Sequence, residues 1–168
     1  FLFPAAGILV EKIFSMDAAW AFTVAALLWV YLGIQKGQVT QDGLTGLNNR
    51  RRLDQYMWEL DERSGERETC CYLLMDVNKF KKVNDTYGHV TGDEVLRLVA
   101  EQLKRTFGNM QAFLARYGGD EFVVIVKGKT QDEMDVIIHQ TQENVNAIAW
   151  GADTPWQLSI SIGCAMRG

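Results

Sequence analysis

Apolar residues recur along this chain with two periods, and each change of period marks an element. Leu53, Tyr56, Met57 and Leu60 stand at helical spacing and predict a helix over 49–63. Cys70-Cys71-Tyr72-Leu73-Leu74-Met75 is a short, nearly continuous apolar run, which predicts a strand over 69–76 buried on both faces. A polar segment with a loop and helix near 78–86 follows, then a helix over 92–107. Ala112-Phe113-Leu114-Ala115 and Phe122-Val123-Val124-Ile125-Val126 flank Gly118-Gly119. Paired glycines supply the positive φ that tight turns need, so 112–127 reads as a β-hairpin. Met134, Ile137, Ile138 and Val145 mark a helix over 131–148, and a strand over 157–163 follows. This order predicts an α+β domain, ferredoxin-like or palm-like, with a central antiparallel sheet flanked by helices. About 120 residues suffice for one such core.

The N-terminal part follows a different pattern. Residues 18–34 carry no charge, and Trp20, Trp29 and Tyr31 lie towards the ends of the run. At about 1.5 Å per residue the run with its flanks approaches the roughly 30 Å of a bilayer core, which predicts a transmembrane helix; a buried core helix is the alternative. Phe1–Val10 begins without Met and reads like the tail of an earlier span. Lys36, Arg50, Arg51 and Arg52 follow the run, so the positive-inside bias places the later domain in the cytoplasm, anchored to the inner (cell) membrane. A signal peptide fits less well, for no basic leader precedes the run. The expected division is a membrane segment over 1–35, a linker over 36–45 and a domain over 46–168.

Formal net charge is −4, with 17 Lys and Arg against 21 Asp and Glu, which argues against a nucleic-acid binder. Cys70, Cys71 and Cys164 have no metal-ligand spacing and read as reduced, partly buried thiols. His139 falls on a predicted helix surface, and no zinc or triad pattern is visible. The acids are more informative. Asp120 and Glu121 stand at the hairpin tip beside Gly118 and Gly119, whose missing side chains leave room for a phosphate. Asp76 ends the apolar strand, a rigid mount for a metal ligand. Mg²⁺ prefers one or two carboxylates plus phosphate oxygens, so Asp76 and Asp120 are the expected metal pair. Side chains alternate along a strand, so Glu121 joins them only if the turn twists it inward. The plain readings are a solvated turn for the hairpin tip and a helix cap for Asp76.

Three ordered runs carry a resemblance: Asp42-Gly43-Leu44-Thr45-Gly46-Leu47-Asn48-Asn49-Arg50-Arg51; Asp76-x-Asn78-x-Phe80-Lys81-x-x-Asn84-Asp85-x-x-Gly88-His89-x-x-Gly92-Asp93; and Gly118-Gly119-Asp120-Glu121-Phe122. With Leu158–Gly163 as a fourth element, the chain over about 42–165 resembles the GGDEF-domain diguanylate cyclases. The resemblance implies condensation of two GTP into cyclic di-GMP with release of two pyrophosphates, each ribose 3′-hydroxyl attacking the other nucleotide's α-phosphate. It implies Mg²⁺ or Mn²⁺ held by Asp76, the Val77 carbonyl and Asp120, with Glu121 as a further ligand or as handler of the nucleophile's proton. Guanine recognition falls to Asn84 and Asp93, and the β- and γ-phosphates to the Phe80 and Lys81 amides and the Lys81 ammonium. Asp93 after Thr91-Gly92 also reads as a helix cap, with Thr91 as a second candidate for it. Because one domain offers one GTP site, the reaction implies a homodimer.

Three departures qualify this. Asn78 replaces an Asp of many members and is not counted as a ligand. Asn109-Met110-Gln111-Ala112 stands where the family's Arg-x-x-Asp inhibitory site would lie, so no inhibitory site is expected. The chain stops at Gly168, before the family's closing helix and strands. The alternative function is a non-catalytic GTP- or dinucleotide-binding regulator; a membrane structural protein ranks third.

Overall fold

The computed structural model describes residues 12, 20–31, 40–62, 69–150 and 157–167. The chain divides into two units, 1–39 and 40–168. In the first, residues 20–31 are helical and exposed, Trp29 at 79% and Phe22 at 77%. Among the described residues no helix is long and apolar enough to cross a membrane. This overturns the transmembrane helix expected at 18–34. The remainder of that run and the earlier span read in Phe1–Val10 lie outside the described residues.

In the second unit the elements follow one another as β1 (Asn48–Asn49), α1 (Arg50–Glu62), β2 (Cys70–Val77), α2 (Phe80–Tyr87), α3 (His89–Phe107), β3 (Ala112–Gly118), β4 (Glu121–Lys127), α4 (Gln131–Asn146) and β5 (Ile160–Arg167). The sheet order is β1-β3-β4-β2-β5. All neighbours pair antiparallel except β1 with β3, so the predicted α+β sheet is mixed rather than wholly antiparallel.

Strand alternation sends successive side chains to opposite faces, and here each face has its own core. Cys71, Leu73, Met75 and Val77 of β2 join Phe122, Val124 and Val126 of β4 beneath α3 and α4, where Val95, Val99, Leu103, Phe107 and Met134 are fully buried. On the other face α1 covers β3 and β4 through Leu53, Phe113, Ala115 and Ile125, with Tyr56 stacked on Phe113 at 4.1 Å. That cover stops short of the end of β2. Leu74 is 54% exposed opposite Gly163, and Asp76 beyond it is exposed, so β2 is not buried on both faces as its unbroken apolar run predicted.

Two boundaries also differ. The third helix begins at His89, not at residue 92, because Gly88, with φ 83°, makes the turn out of α2 and lets α3 start at once. Thr91 is therefore inside the helix, donating its hydroxyl to the Tyr87 carbonyl at 3.0 Å, and neither Thr91 nor Asp93 caps it. The last strand runs over 160–167, later than the predicted 157–163, since Gly163 pairs with Leu74 instead of ending the strand. None of Cys70, Cys71 and Cys164 is in a disulfide. The Cys71 and Cys164 sulfurs lie 3.1 Å apart, and burial together with that neighbour pushes the Cys71 thiol up to about 12.

Candidate active site

The acids meet where three strands end together. Asp76 pairs across the sheet with Glu121 on one side and Ser161 on the other. Directly opposed residues of antiparallel strands point to the same face, so Glu121 and Asp76 share the open face beside Leu74. Sequence reasoning placed Glu121 on that face only if the turn twisted it; the register does so unaided. Asp120 occupies the turn itself. Its carbonyl accepts the Val77 N–H at 3.2 Å, which fastens the turn to the end of β2.

Burial, and after it the charge of Asp120, raises the Asp76 carboxyl above its ordinary value. A carboxyl raised by burial and by a neighbouring acid is one that a divalent cation would relieve, and the Val77 carbonyl is adjacent. Among the described residues no group of three or more His, Cys, Asp or Glu is arranged to hold a metal. The residues present therefore fit a metal sharing its coordination with phosphate, not a closed all-protein cage.

Asn78, the neutral replacement, is occupied elsewhere. Its amide donates to Ser159 Oγ at 3.1 Å, its Oδ1 accepts from Ser161 Oγ at 2.7 Å, and its N–H donates to the Ser159 carbonyl at 2.9 Å. It joins the start of β5 to the end of β2. Next in the chain Lys79 precedes α2 with φ 59°, the one non-glycine residue with positive φ among those described. A lysine there is strained by about 1–2 kcal/mol. We expect Lys79→Gly to stabilise the domain by about 1 kcal/mol, read as a higher denaturant midpoint at unchanged slope.

The tight Asn78-Lys79 turn brings the first turn of α2, with the Phe80 and Lys81 N–H groups, just beyond the acids. Helix geometry leaves first-turn N–H groups without intrahelical acceptors. Further along α2, Asn84 lies against Gly92 of α3, the residue before Asp93. A Cβ at Gly92 would collide with the Asn84 side-chain oxygen and crowd Phe80, so the absent side chain is what seats Asn84 there. Asn84 and Asp93 thus occupy one α2–α3 junction. Asn109–Ala112 forms the turn from α3 into β3, where the Gln111 carbonyl accepts the Lys127 N–H at 3.0 Å.

A second polar network was not predicted. The Arg116 guanidinium donates to the Gly119 carbonyl through Nε at 3.0 Å and an Nη at 2.7 Å, and to both Asp42 oxygens at 3.1 and 3.3 Å. Asp42 also accepts from the Thr45 N–H at 2.9 Å and the Thr45 hydroxyl at 2.7 Å. Burial raises the Asp42 carboxyl, but these hydrogen bonds and the Arg116 charge outweigh it and hold the group below its usual range. The Asp42-x-x-Thr45 spacing is a side-chain-to-backbone turn signature that was available in the sequence; its partner Arg116 was not. A cleft of about 250 Å³ beside Gln41, Lys104 and Phe113 and another of about 360 Å³ between α3 and α4 lie away from the acids, and neither contains them.

The sequence profile of the family described as Diguanylate cyclase, GGDEF domain matches residues 39–167. The chain is 32% identical over 127 residues to the probable diguanylate cyclase DgcC of Escherichia coli K12, covering 75% of this chain and 34% of that protein. It is 34% identical over 140 residues to the diguanylate cyclase DosC of the same strain, covering 79% and 29%. It therefore spans about a third of the length of these curated relatives. Among solved structures, the GGDEF domain of DgcB from Caulobacter crescentus in complex with c-di-GMP superposes with a TM-score of 0.69 at 31% identity, over 78% of this chain and 79% of that one. A Gly-Gly-Asp-Glu turn fastened to an acid at the end of the neighbouring strand is thus matched by sequence across the whole second unit, and the chain belongs to the GGDEF diguanylate cyclase domain family.

Proposed function

We propose that this protein joins two GTP molecules into cyclic di-GMP and releases two pyrophosphates. The observation that carries the reading is the opposition of Asp76 and Glu121 in register, with Asp120 next to Glu121 in the turn, and burial followed by the Asp120 charge raising Asp76. Asp76, Asp120 and the Val77 carbonyl are the groups that would hold Mg²⁺ or Mn²⁺. When bound, such an ion polarises phosphate oxygens and neutralises charge on a leaving pyrophosphate. The protein's own part is positioning, which dominates phosphoryl-type transfer. Gly118 and Gly119 leave space for the phosphates over the turn. The Phe80 and Lys81 N–H groups, with the Lys81 ammonium, orient the β- and γ-phosphates. Glu121, on the face of Asp76, would serve as a further metal ligand or take the proton of the attacking 3′-hydroxyl.

Guanine offers N1–H and N2–H donors beside an O6 acceptor, which a carboxylate and a carboxamide complement. Asp93 and Asn84 fill those roles at the α2–α3 junction. Two domains face each other as a homodimer, each holding one GTP, in the cytoplasm where GTP is available. The test is incubation of the full-length protein with GTP and Mg²⁺ and chromatographic detection of cyclic di-GMP. Tight GTP binding without any product would replace the cyclase reading with that of a binding regulator.

The seat of Asn84 supplies a narrower test. Gly92→Ala should push the Asn84 amide off guanine, raising KM for GTP about tenfold, the worth of one hydrogen bond, with a much smaller change in kcat. Equal weakening of GTP and ATP binding by calorimetry would remove Asn84 from base recognition.

A further inference from the structure

We infer that Arg116 and Asp42 are a positioning pair that sets the direction of the Asp120 carboxylate and couples it to the segment entering the domain. This rests on the cyclase reading and extends it to residues with no part in binding metal or nucleotide. Asp120 is pinned on both sides through the main chain. The carbonyl before it, that of Gly119, accepts two N–H groups of Arg116; its own carbonyl accepts the Val77 N–H. Fixing both peptide planes fixes the Cα–Cβ direction of Asp120, the one thing a glycine-rich turn does not fix by itself. Gly119, with φ 53°, would otherwise let the peptide rotate. The β3–β4 register shift between Arg116 and Gly118 leaves Tyr117 as the extra residue, which lets Arg116 pair with Phe122 and still reach back to the turn.

The other end of the guanidinium holds the entering chain. Only a planar fork can donate to the Gly119 carbonyl with one edge and to a carboxylate with the other. Asp42 is kept ionised and is oriented by Thr45, whose carbonyl accepts from Lys104 of α3 at 2.8 Å. The same segment clasps the hairpin three more times. Asn49 pairs in register with Arg116, the Asn48 amide donates to the Leu114 carbonyl at 2.8 Å, and Arg50 lies 4.6 Å over the Tyr117 ring. A shift of residues 40–50 is therefore felt at Gly119 through hydrogen bonds rather than through the sheet as a whole.

The test uses the full-length protein with Asp42→Asn, Arg116→Lys and Arg116→Ala, read by GTP kinetics and by amide hydrogen exchange of residues 117–122. Loss of the fork should lower kcat about 10- to 100-fold, the scale of a 1 Å misplacement, with KM for GTP within about twofold. Exchange in 117–122 should quicken at least about fivefold while α3 is unaffected, and methylguanidinium should restore part of the Arg116→Ala rate. Exchange unchanged in the near-isosteric Asp42→Asn variant, or full kcat in Arg116→Lys, would overturn the proposal. If the wild type makes no cyclic di-GMP the cyclase reading fails, and the exchange arm still decides the clamp.

Discussion

Asp120→Ala in the full-length protein should abolish cyclic di-GMP synthesis, by about 10³-fold or more, while the domain remains folded. A carboxylate that stabilises charge only as it develops in the transition state is worth several kcal/mol, and each 1.4 kcal/mol is tenfold in rate. Stability should move the other way. Burial and the Asp120 charge raise the Asp76 carboxyl. A carboxylate raised by folding destabilises the native state once ionised, so the metal-free wild type gains stability as pH falls through the raised value. Removing Asp120 withdraws part of that strain at neutral pH. Asp76 is exposed, so water screens the effect to about a few tenths of a kcal/mol. Circular-dichroism melts of both proteins from pH 4 to 7, beside a product assay, separate the two effects. Residual turnover above a few per cent in Asp120→Ala would remove it from the reaction.

Assembly should produce the second large effect. The product contains two equivalent bonds, each joining the 3′ oxygen of one nucleotide to the phosphorus of the other. One two-fold axis relating two domains supplies both nucleophiles and both α-phosphates. Specific activity of residues 40–168 alone should therefore climb with protein concentration. Replacing residues 1–39 by a parallel dimerising coiled coil should raise activity at nanomolar protein by about 10²–10⁴, as the second site becomes intramolecular. Activity that stays flat with dilution, while sedimentation reports only monomer, would exclude this arrangement.

The hairpin and the strand carrying Asp76 were legible because each rests on a local signal, a glycine pair in one case and a bounded apolar run in the other. The α+β alternation was legible for the same reason. Where the reading failed, distant chain segments decided the outcome. Leu74 looks like a core residue until Gly163, far along the chain and without a side chain, is found beside it and leaves it half exposed. The start of α3 was missed because Gly88 turns the chain without any capping side chain. Arg116 gives no local hint of Asp42, 74 positions away. The apolar run at 18–34 suggested a spanning length, but no helix among the described residues is long and apolar enough to cross a membrane.

The position of β2 in the sheet has a consequence for how the protein is made. It lies between β4 and β5, both of which come much later in the chain, so its two edges are completed by long-range pairings. Such pairings close large loops and form slowly, whereas the β3–β4 hairpin is local and forms early. On the ribosome, at about 5–20 residues per second, β2 emerges several seconds before Ile160–Arg167 follows it. Throughout that interval Leu73 and Met75 lie on a strand with an open edge, a template for pairing with another nascent chain. Pairing of β2 with β4 needs the chain only as far as Lys127, so Asp76 and Glu121 can already be opposed while the edge that β5 will cover is still open.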